Sequence, residues 1–337
     1  ILTACTVWSS CEQTVKSKDQ PNVILIVADD LGWGDVGFHG QLRIITPNID
    51  SLAARGMVFS HMYAGSTVCG PSRASMITGL HTGHGEVRGN PRWSLSGHPV
   101  DFDSERQTMG KLMKSAGYKT GMIGKWGLAE NMGKTTPNHQ GFDHFYGFNK
   151  HLPAHHYYPE QIWENDSLLR LTQNDTKNKT GDHVQSLFTN KALNFIEASQ
   201  QSPYFLYLAY TTPHFELTLP AEHKVKYDSL GWPMRRMKRG HYYHDTNGHV
   251  TYASMISKMD DDIGRIIELL KQRGELENTV IIFTSDNGHE YDELTNEFFN
   301  SNGPFRGRKR DLYEGGIRVP FIVHWPAMVA HGSSTEH

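Results

Sequence analysis

Two pairs of oxygen-bearing side chains stand at the ends of the two most apolar runs in this sequence. Val23-Ile24-Leu25-Ile26-Val27-Ala28 leads into Asp29-Asp30, and Val280-Ile281-Ile282-Phe283-Thr284 leads through Ser285 into Asp286-Asn287. Continuous β-branched runs of this kind read as strands buried on both faces, the type found in parallel sheets. In open α/β sheets, ligands gather at the carboxyl ends of the strands. Four oxygen donors converging there suit a hard cation, Ca²⁺ or Mg²⁺, and not zinc. One Asp after a strand reads as well as a cap or a turn residue. Two such pairs after two core strands favour the metal.

Between them in the chain lies Cys69-Gly70-Pro71-Ser72-Arg73, continued by Ala74-Ser75-Met76-Ile77-Thr78-Gly79. Pro71 suits a first helical turn, where free backbone N–H groups attract anions. Arg73 lies one turn on, so its guanidinium can return toward position 69. Alone, Cys69 reads as a buried structural thiol. The three cysteines, Cys5, Cys11 and Cys69, form no disulfide framework and lack the spacing of a zinc site.

The elements that must position these groups alternate between strand and helix. Thr46-Pro47-Asn48 starts a short helix that Gly56 stops, and Met109 to Ala116 forms another, ended by Gly117. Lys119 to Ile123, Phe205 to Tyr210 and Val319 to His324 read as strands. Val184, Phe188, Ala192 and Phe195 share one helical face, as do Met255, Met259, Ile263, Ile266 and Leu270. This order predicts a three-layer α/β domain with a large, mostly parallel mixed sheet between helices. Residues 129 to 182 and 215 to 250 read as long loops over one sheet edge, and the polar end from His331 closes no element.

Composition narrows the function. With 37% hydrophobic and 11% aromatic residues, the 337-residue chain has enough apolar material for a sizeable core. A net charge of −3 points away from nucleic acid. Twenty histidines leave many candidates for proton transfer and anion binding. No run approaches the roughly 20 apolar residues of a transmembrane helix. Leu2-Thr3-Ala4-Cys5 resembles a bacterial lipobox followed by a polar linker, which predicts an exported protein, periplasmic or membrane-anchored through a lipidated Cys5. Asn165, Asn174 and Asn178 head Asn-X-Ser/Thr triplets and read as polar loop residues.

The Cys69 motif resembles the signature of type I, formylglycine-dependent sulfatases of the alkaline phosphatase-like superfamily. The resemblance runs from about Pro21 to Pro326. It includes Val27 to Gly32, Cys69 to Gly79, Gly121-Met122-Ile123-Gly124-Lys125-Trp126-Gly127, Pro213-His214, Thr284 to Gly288, and Lys309 with Tyr313 to Pro320, in the family's order. It implies that a maturation enzyme (formylglycine-generating or sulfatase-maturating) oxidises Cys69 to formylglycine. It further implies that Asp29, Asp30, Asp286 and Asn287 hold Ca²⁺ together with residue 69. Arg73 would hold the formylglycine hydrate, Lys125 and Lys309 would grip the sulfate, and His214 would protonate the leaving oxygen. The implied reaction is hydrolysis of a sulfate monoester, on a galactose-type sulfated carbohydrate. The alternatives are a phosphomonoester or phosphodiester hydrolase of the same superfamily, or a non-catalytic binder of sulfated glycans.

Two departures from the family pattern stand out. Many members carry a histidine where this chain has Gly127, and it is assigned there to deprotonating the hydrate; His139 and His81 are the candidate replacements. The chain also ends where members continue into a smaller C-terminal subdomain, so residues 1–20 read as a signal remnant and linker, and 21–337 as a catalytic domain truncated before that subdomain. Further resemblance to bacterial glycan sulfatases, at His81-Thr82-Gly83-His84, Val87-Arg88-Gly89-Asn90 and His155-His156-Tyr157-Tyr158, makes His84, Arg88, His139, His155 and His156 candidates for sugar binding.

Overall fold

The computed structural model describes residues 20–90, 101–130, 132–199, 202–236, 242, 245–290 and 298–336. The lipobox reading at Cys5 lies outside them, as does Cys11.

A ten-stranded sheet runs through the molecule. Its strands are β1 (Asn22–Ala28), β2 (Met57–Phe59), β3 (Lys119–Lys125), β4 (His144–Phe148), β5 (Gln161–Glu164), β6 (Ser167–Arg170), β7 (Tyr204–Ala209), β8 (Thr279–Ser285), β9 (Phe321–His324) and β10 (Ser333–Thr335). Their spatial order is β10-β2-β9-β8-β1-β7-β3-β4-β5-β6. The five central strands, β8-β1-β7-β3-β4, are mutually parallel. Antiparallel strands lie on both flanks.

Side-chain alternation along β1 divides the core in two. Ile24, Ile26 and Ala28 belong to one apolar cluster, with α1 (Pro47–Arg55), α4 (Val184–Glu197) and α6 (Gly248–Gln272). Leu25 and Val27 belong to the other, with α2 (Cys69–Thr78) and α3 (Met109–Ser115). A small helix, α5 (Val225–Asp228), packs on α6. The expected stripe of Met255, Met259, Ile263, Ile266 and Leu270 is wholly buried along the 25 residues of α6. These layers are the sheet between helices that the sequence predicts.

Four details differ from the expectation. Residues 129 to 182 are not only loops, because β4, β5 and β6 extend the sheet there. Within 215 to 250, α5 forms and α6 begins at Gly248. The strand expected from Val319 starts at Phe321 and runs antiparallel to β8. The polar end does close an element, since Ser333–Thr335 pairs with β2. Asn165 and Asn174 serve the fold: Asn165 Oδ1 accepts from the Phe145 N–H, and Asn174 is buried and donates to the Pro159 carbonyl. Among the described residues, no helix is long and apolar enough to cross a membrane.

Candidate active site

Register brings the chemistry together. Ala28 pairs with Ser285 across β1 and β8, so Asp29 and Asp286 leave the sheet side by side. Val27 pairs with Ala209, and Ala209 with Gly124, which brings the segments holding His214 and Lys125 to the same end. The Asp286 N–H donates to the Ala28 carbonyl (3.1 Å), and the Asp30 N–H to Asp286 Oδ1 (3.1 Å). Asp30 adopts a φ of +64°, a left-handed conformation that Asp tolerates better than most residues. Ligand atoms of Asp29, Asp30, Cys69 and His214 all lie within 4.8 Å of one another.

Cys69 opens α2, as its motif predicts, and its side chain is fully buried. The Gly70 N–H beside it donates to Asn90 Oδ1 at 2.9 Å. Burial pushes the Cys69 thiol up to about 12, against the pull of Lys125 and Lys309. A nucleophilic cysteine needs the opposite shift. As a thiol, Cys69 is therefore inert here.

Three buried cations interleave with the carboxylates. Lys125 Nζ lies 2.6 Å from Asp29 Oδ2, and Lys309 Nζ lies 2.6 Å from Asp30 Oδ2 and 2.9 Å from Glu290 Oε2. Arg73 directs Nε and Nη2 at Asp286 Oδ2 and Nη1 at the Lys125 carbonyl. Its guanidinium thus braces the metal-ligand candidate Asp286 and the end of β3. Burial works to raise the Asp29 carboxyl, but Lys125, His214, Arg73 and Lys309 together hold it well below the usual range. Asp30 shifts the other way: burial outweighs Lys309, and the neighbouring carboxylates add to the rise. Asp286 is also raised, by burial and by Asp29. Carboxylates crowded enough to resist ionisation are what a divalent cation would relieve. Asp29 Oδ1 and Asn287 Oδ1 are buried without a hydrogen-bond partner, while Asn287 Nδ2 donates to Asp30 Oδ1. Two orphaned oxygens within an all-oxygen donor set fit Ca²⁺ or Mg²⁺.

A patch of imidazoles borders this cluster. His214 donates Nδ1–H to the Phe215 carbonyl, and its Nε2 lies 3.4 Å from Asp30 Oδ2 and 3.9 Å from Glu290 Oε2. Burial and Lys309 push His214 down to about 3. His155 stacks on it with ring centroids 4.2 Å apart and bonds Tyr242 Oη through Nδ1. His151 meets His155 edge-on at 4.8 Å.

Of the residues singled out from the sequence, Asp29, Asp30, Cys69, Arg73, Lys125, His214, Asp286, Asn287 and Lys309 form one buried cluster. His155 joins its border, and His156 Nδ1 lies 3.5 Å from Glu216 Oε1. The other sugar-binding candidates lie on exposed loops. His84 and the candidate base His81 are exposed in the turn after α2, on the loop whose Asn90 accepts from the Gly70 N–H. Arg88 is exposed and bonds the Gly83 and Gly85 carbonyls of its own loop. His139 is exposed and bonds Thr136 Oγ1. Sequence reasoning missed Glu290 and His151. Glu290 had a signal, four residues beyond Asp286 on the same loop; His151 had none.

The sequence model described as Sulfatase matches residues 21–337. The N-acetylgalactosamine-6-sulfatase of Mus musculus is 33% identical over 337 residues, covering 93% of this chain and 58% of that protein. The N-acetylgalactosamine-6-O-sulfatase of Bacteroides thetaiotaomicron is 29% identical, covering 98% and 73%. The crystal structure of Ps i-CgsB in complex with k-i-k-neocarrahexaose superposes with a TM-score of 0.78 at 31% identity, covering 94% of this chain and 68% of that one. The chain spans 58% of the length of the mammalian relatives it matches.

Proposed function

The chain belongs to the sulfatase family, and on that premise we propose that it hydrolyses a sulfate monoester on a galactose-type sulfated carbohydrate. One observation carries the reading: the buried Cys69, inert as a thiol, shares a 4.8 Å cluster with Asp29, Asp30 and His214. That fits a residue made reactive by conversion to formylglycine. The names of the relatives support the sugar class, since they act on N-acetylgalactosamine 6-sulfate.

Asp29, Asp30, Asp286 and Asn287 would hold Ca²⁺ (Mg²⁺ is the alternative), which supplies positive charge opposite the sulfate oxygens. Formylglycine at position 69 would supply a hydroxyl nucleophile when hydrated. The remaining work falls to the protein's own side chains. A sulfate monoester is an anion, so any nucleophile approaches it against like charge. Lys125, at the end of β3, and Lys309, on the segment between β8 and β9, are buried cations, and they offset that repulsion as charge builds on the oxygens. One such preorganised group contributes about 3–4 kcal/mol to lowering a barrier. Arg73 keeps Asp286 and the end of β3 in place. His214 is assigned to the leaving oxygen. Burial and Lys309 keep its ring neutral in the free protein, so its proton has to come with the negative charge of the bound ester.

The test uses protein matured in a host that converts sulfatase cysteines. Mass spectrometry of the peptide containing residue 69 is expected to show the aldehyde. An aryl sulfate is expected to turn over faster than the matching aryl phosphate, and chelation is expected to abolish turnover. A persistent thiol, or faster phosphate hydrolysis, overturns the reading.

A further inference from the structure

We infer that His151 accepts the proton in the half of the reaction that releases sulfate, in the place of a side chain that Gly127 lacks. The inference rests on the sulfatase reading above. Gly127 has a φ of +70°, and a Cβ at that position would stand 3.6 Å from His151 Nδ1 and 3.7 and 3.8 Å from Cγ and Cε of Lys125. A side chain at 127 would thus enter the space between the Lys125 chain and the His151 ring. His151 borders that space from the loop that follows β4.

The backbone fixes the approach. The Trp126 and Gly127 N–H groups donate to the Phe148 carbonyl (3.0 and 3.4 Å), and the Ala129 N–H to the Asn149 carbonyl (3.3 Å). The His151 N–H donates to Glu130 Oε1. The ring is 3% exposed, and Nδ1 is buried without a hydrogen-bond partner. An unmade buried hydrogen bond costs stability. The charged and titratable groups acting on the ring are Lys125, Asp29, Lys309 and His214, with His155 against its edge. Burial, followed by Lys125, pushes the imidazole well below its ordinary value, so the ring is neutral in the free protein.

In the step assigned to His151, a proton passes from the hydroxyl at residue 69 that does not carry sulfate to the imidazole nitrogen. The O–H electron pair becomes the second bond of the aldehyde C=O. The other C–O bond breaks, and sulfate leaves with its electrons. No oxidant or reductant is needed.

The experiment compares matured wild type with His151→Ala and His151→Gln after peptide mass spectrometry has matched their aldehyde content. Phenol and inorganic sulfate are followed separately after mixing with excess aryl sulfate. Both variants are expected to release about one equivalent of phenol per converted site, then to turn over about 10²–10⁴-fold more slowly than wild type. Sulfate should lag behind phenol, and the residue 69 peptide of quenched protein should be heavier by one sulfate group. Loss of phenol and sulfate in parallel with no retained sulfate, or unchanged turnover, overturns the inference. His151→Gln carries the test if His151→Ala does not fold. A wild type that is not converted, or that spares aryl sulfate, defeats the sulfatase reading itself and is recognised before the variants are compared.

Discussion

Arg73 and Asp286 form an ion pair with no solvent at either side chain: Nη2 and Nε lie 2.8 and 2.9 Å from the same oxygen, Oδ2. Removing one partner of such a pair leaves a buried charge uncompensated and costs about 3–5 kcal/mol. Arg73→Ala should therefore lower the unfolding free energy by that order in calcium-free buffer, read from urea denaturation. Because a bound cation would compensate Asp286 in its place, the loss should shrink when calcium is present. An equal loss in both buffers would separate Asp286 from the metal.

Asn287 permits a test of the metal that leaves charge untouched. Its Oδ1 is buried and unpartnered, while Nδ2 bonds Asp30. A ligand that binds only the folded protein stabilises it by about 2.7 kcal/mol at 100 times its dissociation constant. Calcium should raise the melting temperature of wild type, and Asn287→Ala should require a higher calcium concentration for the same rise. Calorimetric titration checks the affinity directly. Identical calcium responses would remove Asn287 from the ligand set.

Asp35 predicts a pH dependence away from the catalytic cluster. Burial raises it to about 7 despite hydrogen bonds from Ser301, Tyr252 and the Gly32 N–H. Its ordinary value is 3.8, so between about pH 4 and 7 the folded state binds more protons than the unfolded state. Stability must then fall as pH rises through that window, by a few kcal/mol at most, and level off above about pH 7. Asp35→Asn should flatten this part of the curve in urea unfolding across pH. An unchanged slope would contradict the shift.

Much of this was legible in the chain, for physical reasons that can be named. β1 and β8 are buried on both faces, so they appear as unbroken apolar runs, and the carboxylates at their ends mark the ligand side of the sheet. The α6 stripe is legible because one long face is buried. By contrast, β5 and β6 have four residues each, and β6 is exposed throughout, so no alternation marks them. Three-residue strands such as β2 and β10 exist only through their partners. Gly127 and His151 are 24 positions apart and meet because Lys125 pairs with Phe148 in the β3–β4 register. No local pattern carries that contact. His84, Arg88 and His139 are marked by resemblance to bacterial glycan sulfatases and not by any local pattern, and all three are exposed on loops.

Gly288 tests whether the loop after β8 is held in place by backbone contact. A Cβ there would stand 1.9 Å from the Gly315 carbonyl oxygen and 3.0 Å from Gly316 Cα. Neither atom can swing aside as a flexible side chain does. The Gly288 N–H also donates to the Gly316 carbonyl at 3.0 Å. Gly288→Ala should therefore push the loop outward, at an overpacking cost of about 1–3 kcal/mol or more. The same loop carries Asp286 and Asn287, and the His289 carbonyl on it accepts the Lys309 N–H at 2.9 Å. The calcium response and turnover should fall together with stability. Gly117→Ala is the control: Gly117 has a φ of +85° with nothing near its missing Cβ, so alanine there meets only the left-handed backbone cost of about 1–2 kcal/mol. It should destabilise the protein yet keep the calcium-induced rise in melting temperature. If both variants keep that rise, the site does not depend on where the β8 loop sits. If only Gly288→Ala loses it, contact with Gly315 holds the metal ligands in place.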